Sequence, residues 1–323
     1  MNNPWDKIIS PAKDISALRV DAEHPLDLFW AKDQQGRYLF VYEYISTKEL
    51  DLKVSPNLVG IETIFIPATK GSSRLVLVLK DKINWEIFFS VCNDLLSATK
   101  HVKNSPSAVV TILRRLFRWQ EFLKKKRLEI LSEENIKGLI GELIFLRDHL
   151  IPKYGAANSI KFWFGPEGTP QDFNINDCAV EVKCQSGVTL PFVKIASADQ
   201  LSSQLPKIYL FVVTLGKTTI ENKDAINLPL LVENIQQLLE EESSQSLERF
   251  LDLLCDAGYY HSGKYLDFSY LLLEEQVFSV VEGFPRICPE NLSAGIVKLS
   301  YSIGLAECAP FEIEMKDWEL IND

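Results

Sequence analysis

None of the six cysteines (Cys92, Cys178, Cys184, Cys255, Cys288, Cys308) belongs to a C-x-x-C pair, so the sequence offers neither a thiolate zinc site nor a disulfide framework. Reduced, mostly buried thiols are expected. Histidine is scarce as well: His24, His101, His149 and His261 show no metal-ligand spacing. No stretch approaches the roughly 18 uninterrupted apolar residues of a membrane span, and Met1-Asn2-Asn3-Pro4-Trp5-Asp6-Lys7 lacks the layout of a signal peptide. A cytoplasmic protein without a membrane partner is expected. Repeats and low-complexity segments are absent. Positive charge is also in deficit, with 34 Lys and Arg against 44 Asp and Glu and a formal net charge of -10. That balance excludes a sequence-independent nucleic-acid coat; any polyanion would have to be met by local basic charge.

What the chain does have is enough apolar content, 46% of 323 residues, for a large core in one or two domains. Residues 1 to about 82 alternate in strand fashion, with apolar runs flanking Asp33-Gln34-Gln35-Gly36 and Lys70-Gly71-Ser72 as hairpins do. From Asn84 to about Leu150 the spacing becomes helical, broken at Asn104-Ser105-Pro106 and before Ser132. Ser197-Ala198-Asp199-Gln200 reads as a capping box opening a short helix that stops before Pro206. Ile208 to Leu215 is a continuous apolar run typical of a fully buried strand. Two helices follow at about 229 to 242 and 245 to 257, the second stopped by Gly258, and the tail from Lys264 is strand-like. The order indicates an α/β pattern around a mixed sheet. We place an N-terminal β-rich module over 1–100 and the rest over 101–323.

The chemistry concentrates in Gln171-Asp172-Phe173-Asn174-Ile175-Asn176-Asp177-Cys178-Ala179-Val180-Glu181-Val182-Lys183. With Asn176-Asp177 as a two-residue turn, Ile175 pairs with Cys178, Asn174 with Ala179, Phe173 with Val180, and Asp172 stands opposite Glu181. Alternation puts Phe173, Ile175, Cys178, Val180 and Val182 on one apolar face and Asp172, Asn174, Glu181 and Lys183 on the other. Opposed like charges about 5 Å apart are destabilising, and a cation between them relieves the repulsion. Hard carboxylate oxygens suit Mg2+ or Mn2+. Composition alone yields about one Asp…Glu-x-Lys pattern in a chain of this length, so the weight rests on the register and the apolar reverse face. An exposed hairpin with solvated charges is the competing reading, and a longer turn would shift the register.

Glu142 lies at the margin of an apolar helical stripe made by Leu139, Phe145 and Leu146. It either points to water or docks beside the hairpin. Gly138 and Gly141 each cost about 1 kcal/mol in a helix relative to alanine, which close approach to another backbone would explain.

Glu142 on a helix, Asp172, and Glu181-Val182-Lys183 on paired strands resemble the PD-(D/E)XK nuclease superfamily. More narrowly, they resemble the bacterial "PD-(D/E)XK motif protein" family linked to restriction-modification and phage-defence gene clusters. Supporting stretches are Gly138-Leu139-Ile140-Gly141-Glu142-Leu143, Trp163-Phe164-Gly165-Pro166, Gln171-Asp172-Phe173, Ser197-Ala198-Asp199-Gln200-Leu201 and Phe284-Pro285-Arg286-Ile287. The chain departs from the signature at Gln171, which stands where the name has proline, with Pro170 one step earlier. The resemblance implies an α/β (α+β) fold, with a restriction-endonuclease-like core whose central mixed β-sheet is flanked by helices. It implies Mg2+, for which Mn2+ substitutes, held by Asp172, Glu181, the carbonyl of Val182 and Glu142, with Lys183 orienting the attacking water. It implies double-stranded DNA as substrate, cut by an endodeoxyribonuclease of restriction or phage defence.

Two adjacent carboxylates are expected to keep Lys183 protonated, which favours water positioning over proton abstraction. For DNA contacts we single out Arg114, Arg115, Arg118, Lys161, Gln185 and Lys194. Residues 112–127 also carry Lys124, Lys125, Lys126 and Arg127 against the single acid Glu121, although such a run equally suits a solvated helix face. The alternative function is a nuclease-like DNA-binding or assembly subunit, working as a homodimer or with a neighbour-encoded ATPase or methyltransferase. Action on RNA or single strands is a third reading.

Overall fold

The structure, a computed structural model, describes residues 3–45, 55–67, 72–102, 104–125, 129–187 and 191–322. The chain divides into two compact units, one of residues 1–130 with 260–263, the other of residues 131–259 with 264–323.

The first unit is a five-stranded antiparallel sheet in the order β1-β2-β3-β5-β4, built from β1 (Ile15–Arg19), β2 (Asp27–Asp33), β3 (Tyr38–Tyr44), β4 (Ile61–Ile66) and β5 (Ser73–Leu79). The hairpin around Asp33 to Gly36 forms as expected, with Gly36 in the left-handed region at φ 71°. The second pair, β4 with β5, also forms, while its turn at Lys70-Gly71 lies outside the described residues. Helices α1 (Trp85–Thr99) and α2 (Ser105–Lys125) belong to this unit too. The boundary therefore falls at 130/131, about thirty residues later than the expected 100/101. The cause is a buried polar knot tying the two helices. Arg115 donates to Asp94 through Nε (2.9 Å) and Nη2 (2.7 Å), and Trp119 Nε1 donates to the same carboxylate at 2.8 Å.

The second unit opens with α3 (Glu133–Phe145), capped at Ser132, whose side chain accepts from the Asn135 amide. The helix runs on through a π-helical segment, Leu146–Leu150, and the short helices α4 (Ile151–Tyr154) and α5 (Ala156–Ser159). The central sheet is mixed, in the order β12-β10-β9-β7-β6, with β6 (Phe173–Ile175), β7 (Cys178–Ser186), β9 (Lys207–Thr218), β10 (Ser269–Ser279) and β12 (Glu312–Ile313). β7 and β9 are parallel and the other neighbours antiparallel. A separate pair joins β8 (Phe192–Ile195) to β11 (Tyr301–Gly304). Helices α6 (Leu228–Glu242) and α7 (Ser244–Ala257) occupy the expected span, and Gly258 ends α7 at φ 88°. A four-residue α8 (Glu319–Asn322) closes the chain.

Both faces of the central sheet are covered. Ala179, Leu210 and Val212 pack with Val193, Ile195, Phe278 and Ile303 on one side. On the other, Phe145 meets Phe173 and Phe211 edge-on or tilted at ring separations of 4.9 Å. Two expectations change. The segment after Ser197 is a 3-10 turn, Ala198–Leu201, without a Ser197 side-chain cap; only the Gln200 side chain bonds back, accepting from the Ala196 amide at 2.6 Å. The C-terminal tail holds β10 but is otherwise mostly turns and very short strands. Among the described residues, no helix is long and apolar enough to cross a membrane.

Candidate active site

Asn176-Asp177 is a two-residue turn, and the ladder pairs Phe173 with Val180, Asn174 with Ala179 and Ile175 with Cys178, the register counted from sequence. Asn176 takes φ 53°, the left-handed conformation that two-residue hairpin turns require and asparagine tolerates. Asp172 lies one residue before β6, where the strand is peeled away. Its carbonyl accepts from the amides of Phe164 (2.8 Å) and Gly165 (3.0 Å), while its side-chain Oδ2 accepts from Val182 N at 2.8 Å. The carboxylate thus satisfies the next inward-facing amide of β7 and is locked across the hairpin end.

Glu181 and Lys183 share one face of β7. Lys183 Nζ donates to Glu181 Oε1 at 2.5 Å. Glu181 is fully buried, and its Oε2 has no hydrogen-bond partner among the described residues. The solvated hairpin is therefore ruled out at Glu181, because a carboxylate sealed from water with an orphaned oxygen sits at high energy unless it takes up a proton or a cation compensates it.

Glu142 reaches the same place from α3. Its Oε2 accepts from Trp163 Nε1 at 2.7 Å, and Trp163 is itself fully buried and bridged to Phe173. Gly165 marks where the carboxylates converge: a Cβ there would stand 2.7 Å from Asp172 Oδ1 and 2.8 Å from Glu142 Oε2. The close-approach argument holds for Gly141, where a Cβ would collide with Cys184 Sγ and touch Val182. It fails for Gly138, which faces open space.

The electrostatics follow from burial. Glu142 is pushed up to about 8, first by burial and then by the Asp172 charge, against the opposing Trp163 hydrogen bond and Lys183. Asp172 is pushed up to about 6 by burial, opposed by Lys183 and the Val182 amide. Burial, with Asp172 and Glu142 adding to it, also drives Glu181 well above its ordinary value. For Lys183 burial pulls downward, but Glu181, Asp172 and Glu142 outweigh it and hold the ammonium above its ordinary value. Three carboxylates and one ammonium are a formal -2 when ionised, the deficit that one divalent cation cancels. Among the described residues, no group of three or more Asp, Glu, His or Cys side chains is already drawn into a metal-holding arrangement. Glu181 is turned toward Lys183 instead, and Asp172 spends one oxygen on Val182. The donor set nevertheless fits Mg2+, consisting of hard oxygens with one buried and unpartnered.

The basic candidates separate. Arg115 is 2% exposed and committed to Asp94, so it belongs to the α1–α2 knot and not to a phosphate surface. Arg114 is exposed on α2 and Arg118 half-buried. Lys124 pairs with Glu121 at 2.9 Å, and Lys126 and Arg127 lie outside the described residues. Lys161 is exposed and donates to Asn158 Oδ1 at 2.9 Å; Lys194, on β8, lies 3.5 Å from Glu134. Gln185 is buried on β7 and donates to Thr214 Oγ1 at 2.9 Å. His149 sits against Glu275 at 3.1 Å, an ordinary interfacial position. Trp163 and Gly165 acquire roles the sequence reading did not assign; the quoted stretch Trp163-Phe164-Gly165-Pro166 was the available signal, but a tryptophan beside a glycine does not reveal its carboxylate partner.

A helix delivering one acid to a mixed sheet whose edge hairpin carries two more acids and a lysine defines a PD-(D/E)XK-like α+β protein, a class made up generally of nucleases. The chain belongs to the family DUF4420, described as "Putative PD-(D/E)XK family member", which it matches over residues 1–306. No curated protein and no solved structure matches it.

Proposed function

We propose that this protein is a Mg2+-dependent endodeoxyribonuclease that hydrolyses phosphodiester bonds in double-stranded DNA, in restriction or phage defence. The observation that carries the reading is the cluster of half-buried Glu142, Asp172 and Lys183 around fully buried Glu181, whose Oε2 has no partner among the described residues. Asp172, Glu181, Glu142 and the Val182 carbonyl would hold the ion, Glu181 through the oxygen that Lys183 leaves unused. When bound, Mg2+ supplies phosphoryl polarisation and a more acidic water. Lys183, kept protonated by its acidic neighbours, holds the attacking water and neutralises phosphate charge. Asp172 is oriented by the Val182 amide, and Trp163 fixes Glu142 while keeping bulk water from its Oε2 side.

Plasmid cleavage with and without Mg2+, on methylated and unmethylated DNA, tests the assignment. Asp172→Ala and Lys183→Ala should each cut at least about 100-fold more slowly than the parent; equal rates under matched Mg2+ would falsify it. The closed Glu181–Lys183 pair favours one second reading, a nuclease-like DNA-binding or assembly subunit, under which calorimetry with Mn2+ would show no binding.

A further inference from the structure

At the Gln185 end of β7, residues of β7, β9, β10 and the turn after β11 border an open pocket of about 900 Å3, room for a nucleoside. Gln185 forms part of its wall, two residues beyond Lys183 on the same strand and face, a step of about 6.6 Å along β7. That places the cavity within reach of a nucleoside adjoining any phosphate held at Lys183. Gln185 is 9% exposed; its Nε2 is used by Thr214 and its Oε1 is buried without a partner among the described residues. Across the sheet, Glu274 pairs with Thr214 in a register broken by a β-bulge at Leu273, the device that re-aims side chains beside active sites. Gln276 donates to Glu312 Oε1 at 3.1 Å, and both line the cavity.

Among the described residues no lysine, arginine or histidine lines this space, whereas Glu274 and Glu312 do, so a phosphate is repelled. The buried, unpartnered Gln185 Oε1 and the exposed Glu274 carboxylate call for a ligand that presents N–H donors on an uncharged flat body, and Leu273 and Leu305 supply apolar walls for it. We propose that the cavity receives a single adenine or cytosine extruded from the duplex, whose exocyclic amino group is read by Gln185 and Glu274. This inference rests on the nuclease reading and adds base selectivity to it. Glutamine pairs naturally with adenine, and a carboxylate accepts from the cytosine amino group. Thymine has no amino donor, and guanine carries its amino group at N2, with O6 at the edge where adenine and cytosine place theirs.

The test uses duplexes carrying one unpaired adenine, cytosine, guanine or thymine opposite an abasic position, where extrusion costs little. Binding is read by fluorescence anisotropy with Ca2+ in place of Mg2+, and cleavage of the same duplexes is followed in Mg2+. Unpaired adenine or cytosine should bind about 10-fold or more tighter than thymine. Ala309→Trp, which fills the cavity from an exposed position, and Gln185→Leu should each erase that preference. Should Gln185→Leu fail to fold, Ala309→Trp decides alone. Equal affinity for all four bases, or a preference that survives Ala309→Trp, overturns the proposal. Cleavage without base preference sinks the pocket and leaves the nuclease standing; base preference without cleavage keeps the pocket and sinks the nuclease.

Discussion

Replacing Glu142 by glutamine should make the metal-free protein more stable while abolishing Mg2+-dependent cleavage. The carboxyl of Glu142 is pushed from its ordinary 4.5 up to about 8, by burial first and the Asp172 charge second. A carboxyl with a folded pKa above its unfolded one holds its proton more tightly in the native state, so it takes stability away as pH rises from the unfolded value through the folded one. Held rigid, the site would lose about 5 kcal/mol across that window. Local relaxation and water entry reduce this to about 1–3 kcal/mol. Glutamine removes the charge yet keeps an oxygen that can accept from Trp163 Nε1, now 2.7 Å from Glu142 Oε2. At pH 8 in EDTA the variant should melt roughly 2–10 °C above the parent. At pH 5 native Glu142 is already protonated, and the gain should shrink below about 1 kcal/mol. Saturating Mg2+ should stabilise the parent and close the gap. Thermal unfolding followed by circular dichroism at both pH values, with EDTA and with Mg2+, measures all three. A variant no more stable than the parent at pH 8 in EDTA, or equally stabilised at both pH values, refutes the argument.

Gly165→Ala puts a methyl group 2.7 Å from Asp172 Oδ1 and 2.8 Å from Glu142 Oε2, so the carboxylates must separate. Cleavage should fall about 100-fold while the circular dichroism spectrum is kept, since misplacement by about 1 Å is enough for such a loss. Arg115→Ala leaves Asp94 buried and short of its cationic partner. It should cost about 3–5 kcal/mol in urea unfolding, and a loss below about 1 kcal/mol would show that the α1–α2 knot contributes little.

Where one short-range rule governed, the sequence was readable. The turn residues Asn176-Asp177 set the hairpin register, and the period of two then placed Glu181 with Lys183. The helix breaks at 104–106 and before Ser132, and the stop at Gly258, followed from cap chemistry. What escaped was set by pairs distant in sequence. Asp94 and Arg115 lie 21 residues apart, and nothing local shows that one arginine of a basic helix is neutralised from the preceding helix. Glu142 and Trp163 are also 21 residues apart, so helical periodicity left the acid at the edge of an apolar stripe without saying what it faced. Gly138 and Gly141 look alike in sequence, and only the helix's docking angle makes one a contact and the other not.

Gln171 shows why the missing proline of the signature does not unsettle the site. Proline before the first acid stiffens the chain where it enters the hairpin, at the expense of an amide donor. Here Gln171 is buried, and its Nε2 donates to the carbonyls of Asp199 (2.6 Å) and Ser202 (2.9 Å), tying that same point to the 3-10 turn. One residue on, the Asp172 carbonyl is held by two amides and its carboxylate by a third. The need is for a fixed backbone just before Asp172, and hydrogen bonds meet it in place of a ring. Those bonds join residues about 30 positions apart, so the position of Asp172 depends on the 198–202 segment as well as on its own hairpin. The stretch Ser197-Ala198-Asp199-Gln200-Leu201 thereby acquires a physical reason to accompany the motif: it supplies carbonyl acceptors to the residue that aims the first acid.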